Sequence, residues 1–218
     1  KKQRHKLRVQ QVRRQKIFLT CLFLLIVGCI LLRFSKFSGR QKETHQINAA
    51  CEAYRDEVSS EAAQYDMSDY VDLILAVMMQ ESSGQGTDPM QSSEGAYNTR
   101  YPQQPNGITD PSYSISCGIQ ELKYALEKAV CTGPTDLSKI RLALQAYNFG
   151  ADSYFAYLEE NGQTVWTAQS AQAFAQMASG GTQRDEDDPL HDPAGPWDYG
   201  DQYYPDHVLR YYHLDNNS

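Results

Sequence analysis

The amino-acid sequence predicts an all-α domain preceded by a single N-terminal transmembrane helix. Several segments after residue 42 carry apolar residues at helical spacing, and none alternates apolar and polar residues as strands do. Residues 17–32 form an apolar run without a single charge. The charge of the chain is divided: residues 1–42 hold twelve of the twenty Lys and Arg and no acid, whereas residues 43–218 hold eight against 27 acids. A basic segment is therefore followed by one acidic domain of net charge −19, long enough to bury a core.

The apolar run predicts a membrane anchor. As a helix, residues 17–32 cover roughly 24 Å, and flanking Phe residues extend this toward the ~30 Å bilayer core. Eight basic residues precede the run and four follow it, which favours a cytoplasmic N-terminus. A cleaved signal peptide is the alternative, but no small-residue cleavage site follows the run. We expect a cytoplasmic segment at 1–16, a single membrane span at 17–37, an extracellular domain at 38–213 and a tail at 214–218.

The remaining composition excludes several classes of function. A domain of net charge −19 lacks the basic surface of a nucleic-acid-binding protein. The acidic run at 185–188 lacks the spacing of a calcium loop, and the His residues lack metal-ligand spacing, so neither a metal nor a cofactor is expected. Cys51, Cys117 and Cys131 are odd in number, so at least one is unpaired or pairs between chains. A bridge between Cys117 and Cys131 is compatible with the sequence, which does not decide the pairing.

The periodicity after residue 42 predicts seven helices. The segment 70–81 is apolar nearly all round, which indicates a helix buried in the core, and Ser68 with Asp69 is expected to cap it. The segments 84–111 and 179–202 are rich in Gly, Pro and polar residues and are predicted as loops. The other helices are predicted at 43–65, 112–131, 136–148, 151–160, 167–178 with Thr167 as N-cap, and 203–213.

Glu81 is the candidate catalytic residue. It ends the buried helix and precedes a polar loop, so its carboxyl has apolar walls and one open side. Cleavage of a glycosidic bond needs an acid to protonate the leaving oxygen, and an ordinary glutamate with a pKa of about 4.3 is ionised at neutral pH. Desolvation beside the core raises the pKa into the useful range. The alternative is a helix-terminal glutamate that is simply exposed to water.

Two further segments, together with Glu81-Ser82, carry a resemblance. Residues 116–120 are Ser-Cys-Gly-Ile-Gln and residues 146–148 are Ala-Tyr-Asn. In this order they resemble the motifs of the lysozyme-like, soluble-lytic-transglycosylase superfamily. The segments 81–94 and 113–120, with the closing 208–212, are similar to the bacterial goose-type lysozyme-like domain of Gram-positive and conjugative-transposon cell-wall hydrolases. The resemblance covers about residues 44–213 and implies an all-α lysozyme-like fold.

The resemblance implies roles for individual residues. Glu81 matches the catalytic acid, and Tyr147 is expected to form an aromatic wall whose hydroxyl holds the Glu81 carboxyl. Amide side chains can hydrogen-bond the acetamido and hydroxyl groups of a sugar. The candidate substrate-binding residues are Ser82, Ser92, Ser93, Ser116, Gly118, Gln120, Tyr147 and Asn148. Helix packing and capping are the alternative roles for these residues.

The second catalytic group is left open by the sequence. Inverting hydrolysis needs a carboxylate that holds a water roughly 6.5–9.5 Å from the acid. Asp88 is the best candidate because it lies seven residues after Glu81 in the same loop, and Glu94 and Asp110 follow. Ser92 and Ser93 are candidates to orient the water. Without such a carboxylate, the 6-hydroxyl of the sugar attacks instead, and the enzyme is a lytic transglycosylase.

The expected protein is a membrane-anchored peptidoglycan glycosidase in the cell membrane of a Gram-positive bacterium. It acts on the β-1,4 bond between N-acetylmuramic acid and N-acetylglucosamine with Glu81 as general acid. Its expected partners are peptidoglycan glycan strands, the membrane through the N-terminal helix and, as the resemblance implies, conjugation or wall-remodelling machinery. The alternative is a non-catalytic wall-binding or scaffold module that keeps the fold without turnover.

Overall fold

A computed structural model describes residues 45–188 and 191–214 of the chain. The chain divides into two units, Lys1–Glu43 and Thr44–Ser218, and the described residues all belong to the second. The segments expected at 1–16 and 17–37, and the end of the tail at 215–218, lie outside the described residues. Within the described ranges, no helix has the length and apolar character needed to cross a membrane.

The described residues form α-helices and loops without a strand, which confirms the all-α class. An isolated antiparallel bridge joins Gln183 to Trp197. A short 3-10 helix, η1 (Ser68–Tyr70), precedes α3. The helices are α1 (Ala49–Glu52), α2 (Arg55–Gln64), α3 (Val71–Glu81), α4 (Pro111–Lys128), α5 (Leu137–Phe149), α6 (Ala151–Glu160), α7 (Ala168–Ala178) and α8 (Tyr204–Leu209).

Helix α3 lies in the centre of the domain. All six residues from 73 to 78 are buried, as expected of a helix that is apolar on every side. Helices α1, α2 and α8 pack against it, and α5 packs against α4, α6 and α8. This arrangement fixes the C-terminal end of α3 between the loop that follows it and the closing helix α8.

The N-terminal part of the domain differs from the prediction in two places. The single helix expected at 43–65 begins only at Ala49, where Asn48 is the N-cap and accepts the N–H of Cys51. It is divided into α1 and α2 at a turn in which the N–H of Tyr54 donates to the Cys51 carbonyl three residues earlier. The Nδ2 atom of Asn48 also donates to the carbonyl of Ser83, which fixes α1 against the end of α3. The cap expected from Ser68 and Asp69 is wrong, because both residues lie in η1 and α3 begins without a side-chain cap.

The later helices agree with the predicted bounds to within a few residues, except at the closing helix. Thr167 is the N-cap of α7, as predicted, and forms a capping box with Ser170. Asp110 caps α4 ahead of Pro111, which occupies the first turn where no N–H is needed. The predicted helix at 203–213 is shorter in the structure and ends at Leu209. Cys51, Cys117 and Cys131 are free thiols, so the bridge considered for Cys117 and Cys131 is not formed.

Candidate active site

Glu81 is the last residue of α3, at the point where the buried helix reaches a cleft. Ser82 follows it and ends the helix. The Ser82 hydroxyl donates to the carbonyl of Pro89 at 2.8 Å and accepts the N–H of Gly84 at 3.1 Å. Ser82 therefore shapes the loop behind Glu81, and it is not among the residues that line the cleft on either side of the carboxyl.

The cleft consists of two adjoining depressions of about 580 and 590 Å³. Glu81, Gln91 and Asn148 line both of them, so the Glu81 carboxyl lies where the two meet. One depression, the aromatic half, is lined chiefly by aromatic and acidic side chains: Tyr97, Tyr124, Tyr147, Phe149, Tyr199, Glu94, Glu121 and Asp152. The other, the polar half, is lined by Gln80, Arg184, His191, Asp192, Asp201, Gln202, Tyr203, Tyr204, His207 and Arg210, among others.

Tyr204 of α8 holds the Glu81 carboxyl. Its side chain is only 2% exposed, and its hydroxyl donates a short hydrogen bond to Oε1 of Glu81. Burial raises the pKa of Glu81 to about 7, and the nearby negative charges of Asp201 and Asp88 act in the same direction, whereas the bond from Tyr204 opposes the rise. Glu81 is thus close to half protonated at neutral pH.

Tyr147 and Asn148 lie at the cleft as expected, but their contacts differ from those anticipated. The Tyr147 hydroxyl donates to the carbonyl of Met90 at 2.8 Å, not to Glu81, and its ring stacks on that of Tyr204 with the centroids 6.3 Å apart. Asn148 Oδ1 accepts the backbone N–H of Asp201 at 2.7 Å. Because its oxygen is used by the protein, the Nδ2 group of Asn148 is the part left to bind a ligand in the cleft.

Neither Gly118 nor Gln120 of α4 lines the cleft, and Gly118 is buried against Met90 in the loop behind it. A Cβ on Gly118 would lie 2.6 Å from the Cβ of Met90, so glycine at this position allows the loop to approach the helix. Gln120 and Ser116 line a different depression beside Tyr65, and Gln120 Nε2 donates to the Ser116 carbonyl at 3.1 Å. The structure therefore does not bring Gln120 or Ser116 into the cleft that contains Glu81.

Asp88 is buried in the loop between α3 and α4 and does not line the cleft. Its side chain is 1% exposed. Oδ1 accepts the Ser92 N–H at 3.0 Å and the Ser114 hydroxyl at 2.6 Å. Oδ2 accepts the N–H of Ser93 at 3.2 Å and its hydroxyl at 2.5 Å. With both oxygens committed to these donors, Asp88 organises the loop, and Ser92 and Ser93 are buried parts of the same network.

The other two acids considered for the second catalytic role occupy different places. Glu94 lines the aromatic half of the cleft and is exposed. Asp110 caps α4 and lines the depression that contains Gln120. In the parts of the chain that the structure describes, no group of three or more His, Cys, Asp or Glu residues could hold a metal ion.

Three residues at the cleft were missed by the sequence interpretation. Tyr204 lies 123 residues from Glu81 in the chain, and the only sequence signal was the aromatic character of the closing segment. Glu121 follows Gly118 by three residues, which places both on one face of α4. Asp201 contacts His207, with Oδ2 2.5 Å from Nδ1, and this hydrogen bond raises the pKa of His207. None of the three belongs to the motifs that carry the family resemblance.

Comparison with known protein families and proteins agrees with this architecture. Residues 49–212 match the family model described as Lysozyme-like. The chain is 35% identical over 169 residues to the bifunctional muramidase/DL-endopeptidase CwlT of Bacillus subtilis strain 168, covering 78% of this chain and 44% of that protein. It is 40% identical over 115 residues to the membrane protein YocA of the same strain, covering 51% and 45%.

A streptococcal protein and a solved structure are also similar. The chain is 37% identical over 110 residues to the pneumococcal vaccine antigen A homolog of Streptococcus pyogenes serotype M1, covering half of each protein. The crystal structure of a protein similar to an NLP/P60-family lipoprotein from Staphylococcus aureus Mu50 superposes with a TM-score of 0.65 at 27% identity, over 80% of this chain and 56% of that one. The chain spans about half the length of the curated relatives it matches.

Proposed function

We propose that this chain, which belongs to the lysozyme-like family, is a glycosidase that cleaves the glycan strands of peptidoglycan. The observation that carries the proposal is the position of Glu81. Its half-buried carboxyl lies at the end of α3, has a pKa raised to about 7 and opens into both halves of a cleft. A general acid is most effective with a pKa near the working pH. The similarity to a muramidase supports peptidoglycan as the substrate.

The contacts of Glu81 suggest how the proton is held and transferred. Tyr204 donates to Oε1, so the transferable proton belongs on Oε2. After this proton passes to the glycosidic oxygen, Glu81 becomes a carboxylate, and the Tyr204 hydroxyl stabilises the new charge. Asn148, held through its oxygen, directs its Nδ2 group toward a sugar hydroxyl or acetamido oxygen beside the scissile bond.

The bond proposed is the β-1,4 linkage between N-acetylmuramic acid and N-acetylglucosamine. The step that follows protonation has two forms, hydrolysis by water or attack by the 6-hydroxyl of the sugar. The buried, fully bonded position of Asp88 argues against a water held by that residue, so we propose that Asp88 positions the loop instead. Both a muramidase and a lytic transglycosylase are compatible with the remaining groups.

We further propose that the domain acts at the outer face of the cell membrane, anchored by the helix expected at 17–37. The charge-free apolar run between basic segments supports the anchor, and the similarity to a membrane protein is in keeping with it. An anchor would confine glycosidase activity to the wall nearest the membrane. This location suits local remodelling of the wall for growth or conjugation.

Substitution of Glu81 tests the proposal. The full chain, purified in mild detergent, is assayed by the clearing of purified Gram-positive cell walls. We expect Glu81→Gln to abolish clearing because the amide N–H is far too weak an acid to protonate the leaving oxygen. The matched control, Glu160→Gln on the exposed end of α6, should clear walls at the unchanged rate. Equal clearing by Glu81→Gln would refute the proposal.

Mass spectrometry of the released fragments separates the two reaction types. A muramidase leaves a reducing end, whereas a transglycosylase leaves a 1,6-anhydro end that is lighter by one water. A non-catalytic wall-binding module, the alternative function, would bind walls and release neither fragment. The raised pKa of Glu81 and its access to the cleft favour catalysis over that alternative.

A further inference from the structure

Glu121 is a second, half-buried carboxyl group of the cleft, and the proton transfer from Glu81 does not use it. It lines the aromatic half together with Glu81. Its Oε1 atom is buried and has no hydrogen-bond partner among the described residues. Buried polar atoms are almost always paired in folded proteins, so an unpaired one beside a cleft needs a reason. Glu121 as a whole is only partly buried and lines the cleft, so Oε2 is the carboxyl oxygen that can face it.

The loop before α4 is shaped to admit this carboxyl. A Cβ built on Gly95 would lie 1.4 Å from Oε1 of Glu121 and 2.3 Å from its Cδ. Gly95 is not among the glycines with a left-handed φ, so its backbone conformation does not require glycine. The close approach of the carboxyl accounts for glycine at this position. Glu121 and Gly95 therefore fit one another, with Oε1 directed at the loop backbone.

The surroundings of Glu121 favour its neutral form. Burial raises the pKa of Glu121 to about 8, and the charges of Asp88 and Glu81 act in the same direction. The backbone N–H of Tyr97 opposes the rise, although it is not within hydrogen-bonding geometry of Oε1. In the ionised carboxyl, the buried Oε1 would carry negative charge without a donor. Burying an unpaired charged oxygen costs far more free energy than burying the neutral carbonyl oxygen of a protonated carboxyl. A neutral carboxyl has one O–H donor. With Oε1 against Gly95, this donor is carried by Oε2 on the open side.

We propose that Glu121 binds the substrate as an uncharged hydrogen-bond donor to an N-acetylated sugar in the aromatic half of the cleft. This assignment rests on the proposed glycosidase function. The described residues that line this half include Glu81, Glu94, Glu121 and Asp152 but no Lys, Arg or His. A carboxylate-bearing part of the substrate is therefore disfavoured here, whereas acetamido and hydroxyl oxygens are uncharged acceptors. The aromatic rings around Glu121 offer faces on which a sugar can stack.

The test measures binding of a sugar without a carboxylate. The probe is the β-1,4-linked tetramer of N-acetylglucosamine, titrated calorimetrically into the full chain carrying Glu81→Gln, so that the probe is not cut. We expect Glu121→Ala to weaken binding about tenfold because the donor is lost. Glu121→Gln keeps an uncharged donor of the same shape and should bind within about threefold of its parent.

The pH dependence separates a neutral donor from a carboxylate. In the Glu81→Gln background, affinity for the tetramer should fall between pH 7 and pH 9 as Glu121 ionises, and Glu121→Gln should remove this fall. The other charged groups that face Glu121 are Glu94 and Asp152, which line the aromatic half, and Asp88, which is buried behind this half of the cleft. The nearby Tyr147 and Cys117 titrate above this range, because burial raises the pKa of both. Circular dichroism at each pH checks that the fold is kept.

Gly95→Ala provides an independent variant of the same contact. Its Cβ should displace the Glu121 carboxyl and weaken tetramer binding about as much as Glu121→Ala does. In the Glu121→Ala background it should have little further effect, since coupled residues are not additive. Equal binding by Glu121→Ala and Glu121→Gln, or additive losses with Gly95→Ala, would overturn the assignment. The wall-clearing assay distinguishes this failure from failure of the proposed function. If Glu81→Gln abolishes clearing while the binding results contradict the assignment, only the role of Glu121 is refuted. If Glu81→Gln clears walls at the undiminished rate, the proposed function itself is refuted.

Discussion

Tyr204→Phe removes a single hydroxyl and leaves the ring in its place against Tyr147. The lost group is the donor to Oε1 of Glu81. This hydrogen bond favours the carboxylate and opposes the rise in the pKa of Glu81 caused by burial. Without it, Glu81 holds its proton more tightly. The substitution therefore changes two quantities with opposite effects on the rate, the protonated fraction of Glu81 and its strength as an acid.

The magnitudes decide which effect dominates. With a pKa of about 7, Glu81 is half protonated at pH 7, so complete protonation increases the rate by about twofold at most. A hydrogen bond to a charged group contributes about 1.5–3 kcal/mol, and each 1.36 kcal/mol on a barrier is a tenfold change in rate. Loss of the donor to the newly formed carboxylate should thus lower kcat about 10- to 150-fold. The loss in acid strength is the larger effect.

The assay is the clearing of purified cell walls by the full chain between pH 5 and pH 9. We expect Tyr204→Phe to lower the plateau rate and to move the alkaline fall of the profile to higher pH. Tyr147→Phe is the matched control, because its hydroxyl bonds the Met90 carbonyl and its loss should leave the position of the alkaline fall unchanged. An unchanged plateau, or an alkaline fall at lower pH, would refute the role given to Tyr204.

Two further predictions concern stability. Asp88→Asn leaves donors of the loop network without an acceptor. It should therefore lower the free energy of unfolding, measured by urea titration, by about 3 kcal/mol. Unchanged stability with lost activity would instead favour a direct catalytic role for Asp88. Burial raises the pKa of Glu81 to about 7 and that of Glu121 to about 8, from an ordinary value of 4.5, so the native chain binds more protons than the unfolded one. Each acid therefore contributes stability that is complete below about pH 4.5 and is lost as the pH rises through its folded pKa, on the order of 3 kcal/mol for Glu81 and on the order of 5 kcal/mol for Glu121. Thermal melts at pH 5 and pH 9 should show this loss, and Glu81→Gln or Glu121→Gln should reduce it; parallel curves for all three proteins would contradict the assignment.

The helical part of the fold could be predicted wherever the core imposes a period on the sequence. Helices α5, α6 and α7 have bounds within about one residue of prediction, because their apolar stripes and the Thr167 cap are local signals. The start of α1 at Ala49 could not be predicted, because its N-cap Asn48 is held by a hydrogen bond to the carbonyl of Ser83, 35 residues away. Local pattern does not contain such a contact.

The position of the site could be predicted more readily than its details. Glu81 was identified because a carboxylate at the end of an apolar helix is visible in the sequence. Gln120 and Glu121 are adjacent, and only packing of α4 against the loop determines that Glu121, not Gln120, faces the cleft. Asp88 lies in a loop with a polar composition, which suggests exposure. The loop instead folds around the Asp88 carboxylate, so a charged side chain has the place that an apolar one usually takes.

The net charge of −19 in residues 43–218 does not describe the cleft. Among the residues that the structure describes, the charged ones that line the aromatic half are all acids. The polar half also includes Arg184, Arg210 and His207, and Asp201 raises the pKa of His207. Charges that line a cleft act on a bound ligand at short range, while those elsewhere on the surface are screened within about 10 Å at ordinary salt. The carboxylates of peptidoglycan lie on the peptide, which is joined by an amide bond to the side chain of muramic acid, or on that side chain where no peptide is attached. If the substrate is the one proposed, a strand across Glu81 is expected to place its uncharged sugars against the aromatic half and its carboxylates toward Arg210. The difference in charge between the two halves, and not the net charge of the domain, then sets the register in which the strand binds.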